Sequence, residues 1–308
     1  MNDVLHLCSD FPNQQIYTQL VHHLRDEGLT QFVFSAVRTA AEASRQPPDD
    51  PPKIHYSVQN VLRRYHRVLF RTKIKLVERK VLATVVPRDF RLIHAHFLYS
   101  DGALALRLHR RFDIPFVCAI RNTDINAFMR LRPDLRCIAT DVLRSASALV
   151  CLTPTYRETV LKKIGPRLAE SIRDKFVVIP SGVAPSWLHQ SPDSPRAPDG
   201  VTRVLYVGNF TRNKNVESIV RAVGELRRTR RAELTIVGGG GDGAVALSQL
   251  LHDPRYAFVV RHEPIHDTEH LRNIYRAHDV FAMPSFLETF GLVYIEAMSQ
   301  GVPVIHSR

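Results

Sequence analysis

Short apolar runs alternate along the chain with stretches in which apolar residues recur every three or four positions. DVLHLC, QFVFSAV, LIHAHF, FVCAI, ALVCL and FVVIP read as strands in the first half, and TRVLYVG, AELTIVG, YAFVVR, DVFAMP and PVIHS in the second. Runs such as NVESIVRAVGEL, DTEHLRNIYRAH and GLVYIEAMSQ between the later strands have helical periodicity. This alternation predicts parallel sheets covered by helices on both faces. The pattern lapses twice. Residues 41 to 57, with the proline-rich SRQPPDDPPK, read as a loop. From Ser181 to Gly200 periodicity disappears and Pro, Ser and Asp accumulate, which reads as a linker. The predicted organisation is α/β, two doubly wound Rossmann-like domains at 1–182 and 201–308 joined by 183–200. Ligands are expected in an interdomain cleft at the carboxyl ends of both sheets.

Composition narrows the function classes. A length of 308 residues with 44% hydrophobic content supports a sizeable core and favours two domains. No stretch approaches the roughly 18 continuous apolar residues of a membrane span, and MNDVLHLCSD lacks signal-peptide order, so a cytoplasmic location is expected. Cys8, Cys118, Cys137 and Cys151 show no CxxC spacing and read as reduced core residues. The net charge of +12 calls for an anionic partner, a solubility role, or both. Much of it lies in HYSVQNVLRRYHRVLFRTKIKLVERKVL. There Val58, Val61, Leu62, Tyr65 and Leu69 recur at helical spacing among Arg63, Arg64, Arg67 and Arg71, predicting a basic amphipathic helix over 58 to 82. Such a helix either packs on the core with a solvated basic face or meets anionic lipid at the inner face of a membrane. No RNA-recognition aromatic motif or zinc-finger spacing is present, which argues against nucleic acid.

Candidate chemistry concentrates in PSFLETFGLVYIEAMSQGVPVIHSR, the stretch that ends at Arg308. A strand ending near Met283 and a helix beginning near Phe290 would leave the amides of Phe290, Gly291 and Leu292 free at a positive helix end, a site for phosphate oxygens. Eight residues of helix between Glu288 and Glu296 would rise about 12 Å and turn about 800°, putting both carboxylates broadly on one side. That separation suits a long ligand with hydroxyls at both ends and a diphosphate between. His94 and His96, two apart on one strand, point to the same face, and the sequence offers them no third metal ligand; strand-end cleft residues are the favoured reading. Gly238, Gly240 and Gly243 fit GxGxxG with Glu263 downstream, which would suggest a dinucleotide oxidoreductase. Those glycines follow the second strand of their domain, where a dinucleotide fold places them after the first.

The EX7E spacing, the TFGL insert and EAMSQGVPVI resemble the family 4 glycosyltransferases of GT-B fold, and the likeness runs over nearly the whole chain. VLYVGNFTRNKNV is similar to that family's first strand and phosphate loop of the second domain. HAHFLYSDGALA, IPFVCAIRNTDIN and SDFPNQQIY are similar to its first-domain segments, in a capsular or exopolysaccharide branch. The resemblance implies that Glu288 contacts the transferred sugar and Glu296 the ribose. It implies donor binding by Lys214, Ile265, Thr289, Phe290, Gly291 and Leu292. Asn209 stands where an arginine is usual, with Arg212 nearby as its substitute. Arg121 and Asn122 replace a usual His and Gly, and Arg121 and Asp124 are carried over as catalytic-site residues. Gln14 and Gln15 stand in for a glycine pair and, with His96 and Asn122, line the acceptor side. The implied activity is retaining transfer of a sugar from a nucleoside diphosphate sugar to a glycan or lipid-linked hydroxyl in polysaccharide synthesis, with no metal or other cofactor. Family members usually continue beyond the position of Val304, so the second domain reads as incomplete; a truncated, non-catalytic nucleotide-binding remnant is the alternative. Sugar and acceptor identity are not legible in the sequence.

Overall fold

The computed structural model describes residues 2–188, 199–265, 267–288 and 290–307. The chain divides into two compact units, Met1–Ser181 and Gly182–Arg308. The first carries strands β1 (Asn2–Leu7), β2 (Gln31–Val37), β3 (Ile54–Asn60), β4 (Phe90–Ala95), β5 (Phe116–Ala119), β6 (Ala148–Cys151) and β7 (Phe176–Val178). They form one parallel sheet in the order β3-β2-β1-β4-β5-β6-β7. In the second unit β8 (Thr202–Val207), β9 (Ala232–Val237), β10 (Val259–His262), β11 (Val280–Met283) and β12 (Val304–His306) form another, ordered β10-β9-β8-β11-β12. Both sheets reverse direction of strand addition, at β1/β4 and at β8/β11. A crevice for ligands opens outside the carboxyl ends of strands at such a switch point. These are the two doubly wound Rossmann-like units expected.

Central strands buried on both faces are close to continuously apolar, as Val4, Leu5 and Leu7 on β1 and Val204 to Val207 on β8 show. Helix Ser100–Phe112 lies at the centre of the first core, and a Cβ on Gly102 would stand 2.9 Å from Val142 Cγ1, so glycine is what lets that helix meet its neighbour closely. Cys8, Cys118 and Cys151 are buried and Cys137 is exposed. Among the described residues no helix is long and apolar enough to cross a membrane.

Two expectations fail in one region. The segment 41 to 57 is not all loop: Ala40–Ala43 forms a capped helical turn, and Ile54 begins β3. The helix expected over 58 to 82 does not exist as such. Val58 lies within β3, paired to Ser35, Leu62 is buried after the strand, and Tyr65, Val68 and Leu69 are exposed in the connection. The helix that does form is Phe70–Thr84. It buries Phe70, Ile74, Val77 and Val81, together with Lys73 and with Glu78, whose carboxylate receives Arg107 Nη2 at 2.6 Å. The period-two alternation of Ile54, Tyr56 and Val58 wins because β2 offers a ladder over the whole stretch from Gln31 to Val37.

Of the expected linker, 189–198 lie outside the described residues. Residues just before them are seated in the second unit, where Trp187 meets Tyr275 edge-on and its carbonyl accepts from Gln300 Nε2 at 3.0 Å.

Candidate functional site

In the second unit, Gly208 follows β8 and opens a loop that reaches the segment after β11. Tyr206 Oη donates to the Asn209 carbonyl at 2.7 Å, leaving the Asn209 side chain exposed. A short turn, Arg212–Lys214, is closed by Asn215 in the left-handed conformation (φ 55°), from which helix Val216–Leu226 departs. Asn213 binds this loop to the segment after β11. Its carbonyl accepts from Phe286 N, its Oδ1 from Leu287 N, and its Nδ2 donates to the Leu287 carbonyl, at 2.8 to 3.0 Å. The consequence is a direct meeting of two residues singled out in the sequence: Lys214 Nζ lies 2.6 Å from Glu288 Oε2. Each is about a quarter exposed, so the pair is both structured and reachable by a ligand.

Helix Leu292–Ser299 starts after Gly291, whose φ is +74°. A Cβ there would come within 2.4 Å of the Tyr294 ring, so both backbone and space demand glycine. Phe290 and Leu292 flank it half-buried; Thr289 lies outside the described residues. Glu288 precedes the helix. The expectation that eight helical residues separate Glu288 from Glu296 is therefore corrected, since helical geometry governs only the last part of that interval. Glu296 is mostly buried, which pushes its carboxyl up to about 7 against the opposing donation from Tyr275 Oη at 3.4 Å. Ile265 is half-buried against the core of this unit.

Arg212 and Lys214 part company. Arg212 N donates to Asp242 Oδ1, and the residue lines a cavity of about 250 Å³ with Arg221 and Phe286, of which Lys214 and Glu288 are not part. The run Gly238 to Gly243 has a packing role. A Cβ on Gly238 would stand 2.0 Å from the Gly208 carbonyl oxygen, and one on Gly241 2.7 Å from that of Phe210. These glycines let the loop after β9 press on the loop after β8.

In the first unit the loops after β1, β4 and β5 converge at the other switch point. Asp124 is buried there and accepts from the amides of Arg121 (2.9 Å), Leu98 (3.0 Å) and Tyr99 (3.4 Å). Burial raises its pKa to about 6, the amides pulling the other way. Its oxygens join the turn after β5 to the turn after β4. Arg121 stands over the Tyr17 ring at 5.7 Å, with its buried Nε lacking a partner. Asn122 accepts from Asn126, and Gln14 donates to Asp10 at 2.5 Å immediately before exposed Gln15 opens helix Gln15–Asp26.

The view that His94 and His96 lack a third partner is corrected. Register places His6 of β1 opposite His94, and ring nitrogens of His6, His94 and His96 lie within 4.8 Å of one another. Gln31 Nε2 donates to the Val21 carbonyl, so its Oε1 faces His6 Nε2 at 3.0 Å and receives that proton. His6 Nδ1 is then the acceptor for His96 Nε2–H at 3.0 Å. His96 Nδ1 and His94 Nε2 are left buried without partners. Burial holds His6 down to about 4 and the other two well below their ordinary value, so the set is neutral. This is a donor set of metal-ligating type already engaged in a fixed hydrogen-bond chain. Lys73 and Asp101 were also unanticipated: Lys73 Nζ donates to Ser100 Oγ at 2.6 Å, and Asp101 accepts from Ser9 N at 3.1 Å. Burial lowers the lysine to about 8 and raises the aspartate to about 7. Lys73 was legible only as one more cation of a basic stretch.

Two all-parallel, doubly wound units, each gathering polar side chains at its switch point, define the GT-B class of fold. The solved sucrose-phosphate synthase of Thermosynechococcus elongatus superposes with a TM-score of 0.73 at 22% identity, over 99% of this chain and 81% of that one. Anabaena Alr3699/HepE in complex with UDP and glucose does so at 0.69 and 17%, over 99% and 80%. Residues 15–187 match the family described as Glycosyltransferase Family 4, and residues 201–308 that described as Glycosyl transferases group 1; the chain belongs to glycosyltransferase family 4. It is 30% identical over 229 residues to a D-inositol 3-phosphate glycosyltransferase of Paenarthrobacter aurescens, covering 69% of this chain and 55% of that protein. Likeness to a glycogen synthase of Mycobacterium tuberculosis is 29% over 231 residues, 70% and 52% respectively. The chain thus spans about half the length of these curated relatives.

Proposed function

We propose that this chain binds a nucleoside diphosphate sugar and transfers the sugar, with retained anomeric configuration, to a hydroxyl of a glycan or lipid-linked acceptor in polysaccharide synthesis. The observation that carries this reading is the contact of Lys214 with Glu288 at the β8/β11 switch point. An ammonium beside a carboxylate, next to a helix beginning at Leu292, matches a ligand that carries phosphate and sugar hydroxyls together. A diphosphate arriving there draws Lys214 toward its oxygens and releases the Glu288 carboxylate to accept from the sugar. Amides of Phe290, Gly291 and Leu292 add positive potential at the helix start. Asn209, on the same loop, and Thr289 and Ile265 complete the donor side, while Arg212 lines the neighbouring cavity. Glu296, deeper and mostly buried, takes the ribose hydroxyls. Charge on the departing diphosphate is offset by Lys214 and the amides, and its oxygen receives the acceptor proton on the same face.

In the first unit Gln14, Gln15 and Asn122 line the acceptor side, with Arg121 as the cation facing it; His96, expected there, is instead fully buried in the histidine chain. Asp124 acts as a positioning residue, since its carboxylate is committed to three backbone amides. Alr3699/HepE is described in complex with UDP and glucose, which makes UDP the first nucleotide to test. Titration calorimetry with UDP, GDP and ADP, alone and as sugar conjugates, is the test. One diphosphate should bind saturably, and Lys214→Ala should weaken it at least about tenfold while leaving the matching nucleoside unchanged. Failure of every nucleotide to bind, or an unchanged Lys214→Ala, overturns the reading.

A further inference from the structure

The first unit holds a cavity of about 360 Å³, lined from the turn between Ile125 and Arg130, from helix Arg136–Ser145 and from the junction near Ile164. Its size falls in the range of small-molecule sites. Ile125, Met129, Ala139, Leu143, Ile164 and Leu168 make an apolar floor, while Arg130, Arg136 and Lys163 are the charged lining residues and no carboxylate is among them. Among the described residues none of these three cations donates to a protein acceptor. Tyr99 also lines the cavity. It is fully buried, stacked on Phe128 at 4.8 Å, and its hydroxyl has no hydrogen-bond partner. A buried hydroxyl without a partner costs stability unless something else supplies one. The wall beside it, Asp124–Phe128, is a π-helical turn, a form that recurs at functional sites.

The geometry points to a site for a phosphate ester carried on an apolar chain: the cations and the Tyr99 hydroxyl take the phosphoryl oxygens, and the floor takes the chain. Free phosphate would satisfy the cations and leave the floor unused. Leu131, adjacent to Arg130, is exposed, and Arg132 ties this turn to the carbonyls of Arg67 and Val68, beside exposed Val68 and Leu69, so apolar surface continues beyond the cavity. That continuity favours a lipid-borne phosphate. The proposal rests on this cavity and not on the transfer activity proposed above.

Calorimetry with the intact chain tests it, using farnesyl phosphate below its micelle concentration, farnesol and inorganic phosphate. Farnesyl phosphate should bind at least about tenfold more tightly than either fragment. Arg136→Gln and Arg130→Gln should each weaken it by about tenfold, and Arg79→Gln, on helix Phe70–Thr84 outside the cavity, should not. Tyr99→Phe should weaken it while leaving the thermal midpoint equal or higher, because removing the hydroxyl relieves an unsatisfied group. No saturable binding, equal affinity for inorganic phosphate, or indifference to Arg136→Gln overturns the proposal. UDP affinity, measured on the same variants, separates this outcome from failure of the donor site.

Discussion

Glu296 is held in a site that disfavours its charge. Its carboxyl titrates about 7 in the fold against an ordinary 4.5, so the folded protein takes up a proton that the unfolded chain releases in that interval. The sign follows: the contribution to stability is present below about 4.5 and is lost as pH rises through about 7. Glu296→Gln should therefore stabilise the fold near pH 8 by about 1–2 kcal/mol, read as a higher thermal midpoint, and change it little near pH 5. The same variant should weaken nucleotide binding, because an amide replaces the acceptor assigned to the ribose. Equal midpoint shifts at both pH values would refute the account of burial. Glu288 invites a different outcome. It shares Lys214 with any incoming diphosphate, at 2.6 Å, so Glu288→Gln should bind free diphosphate as tightly as the wild type or more so, while transfer falls about a hundredfold. A parallel loss of diphosphate affinity would show that Glu288 does not compete for the lysine.

The loops after β8 and β9 are shaped by close backbone approach. Gly238 has φ +145° and a hypothetical Cβ 2.0 Å from the Gly208 oxygen, whereas Gly240 has φ +62° and open space around it. Urea unfolding should thus separate two substitutions of the same type: Gly238→Ala should cost about 3 kcal/mol or more, and Gly240→Ala only about 1–2 kcal/mol for the left-handed backbone. Comparable losses would mean that the loop after β9 does not pack as described. Reading elements from sequence worked where periodicity had one interpretation. DVFAMP and the GLVYIEAMSQ helix lie as expected, as does the glycine between them. It failed at β3, where Val58, Val61, Leu62, Tyr65 and Leu69 imitate a helix that pairing with β2 overrides. Side-chain partners were less legible still. His6 meets His94 through register between β1 and β4, and Lys73 is buried on a helix whose exposed face carries the other cations; both depend on tertiary placement rather than spacing. Lys214 and Glu288 were each legible through their motifs, but their contact required Asn213 to bridge the two loops.

Across the whole molecule, two sets of buried groups answer acid in opposite directions. Asp101, Asp124 and Glu296 titrate near 7, 6 and 7, so each favours the fold at low pH and withdraws that support as pH rises from about 4 to about 7. His6, held to about 4, and His94 and His96, both kept well below their ordinary value by burial, do the reverse: the unfolded chain binds protons that the fold refuses, and stability is lost as pH falls below about 6.5. The two contributions oppose each other over one interval. What they do not offset is the general charge, +12 with every histidine neutral and rising as the exposed ones among 15 histidines take protons. Long-range repulsion among exposed cations is screened by salt, whereas protonation inside the core is screened far less. Raising sodium chloride to about 0.5 M should therefore lift the thermal midpoint more near pH 5 than near pH 8. A gain of the same size at both would assign acid sensitivity to the buried histidines alone, and replacing His6 by asparagine should then remove part of it.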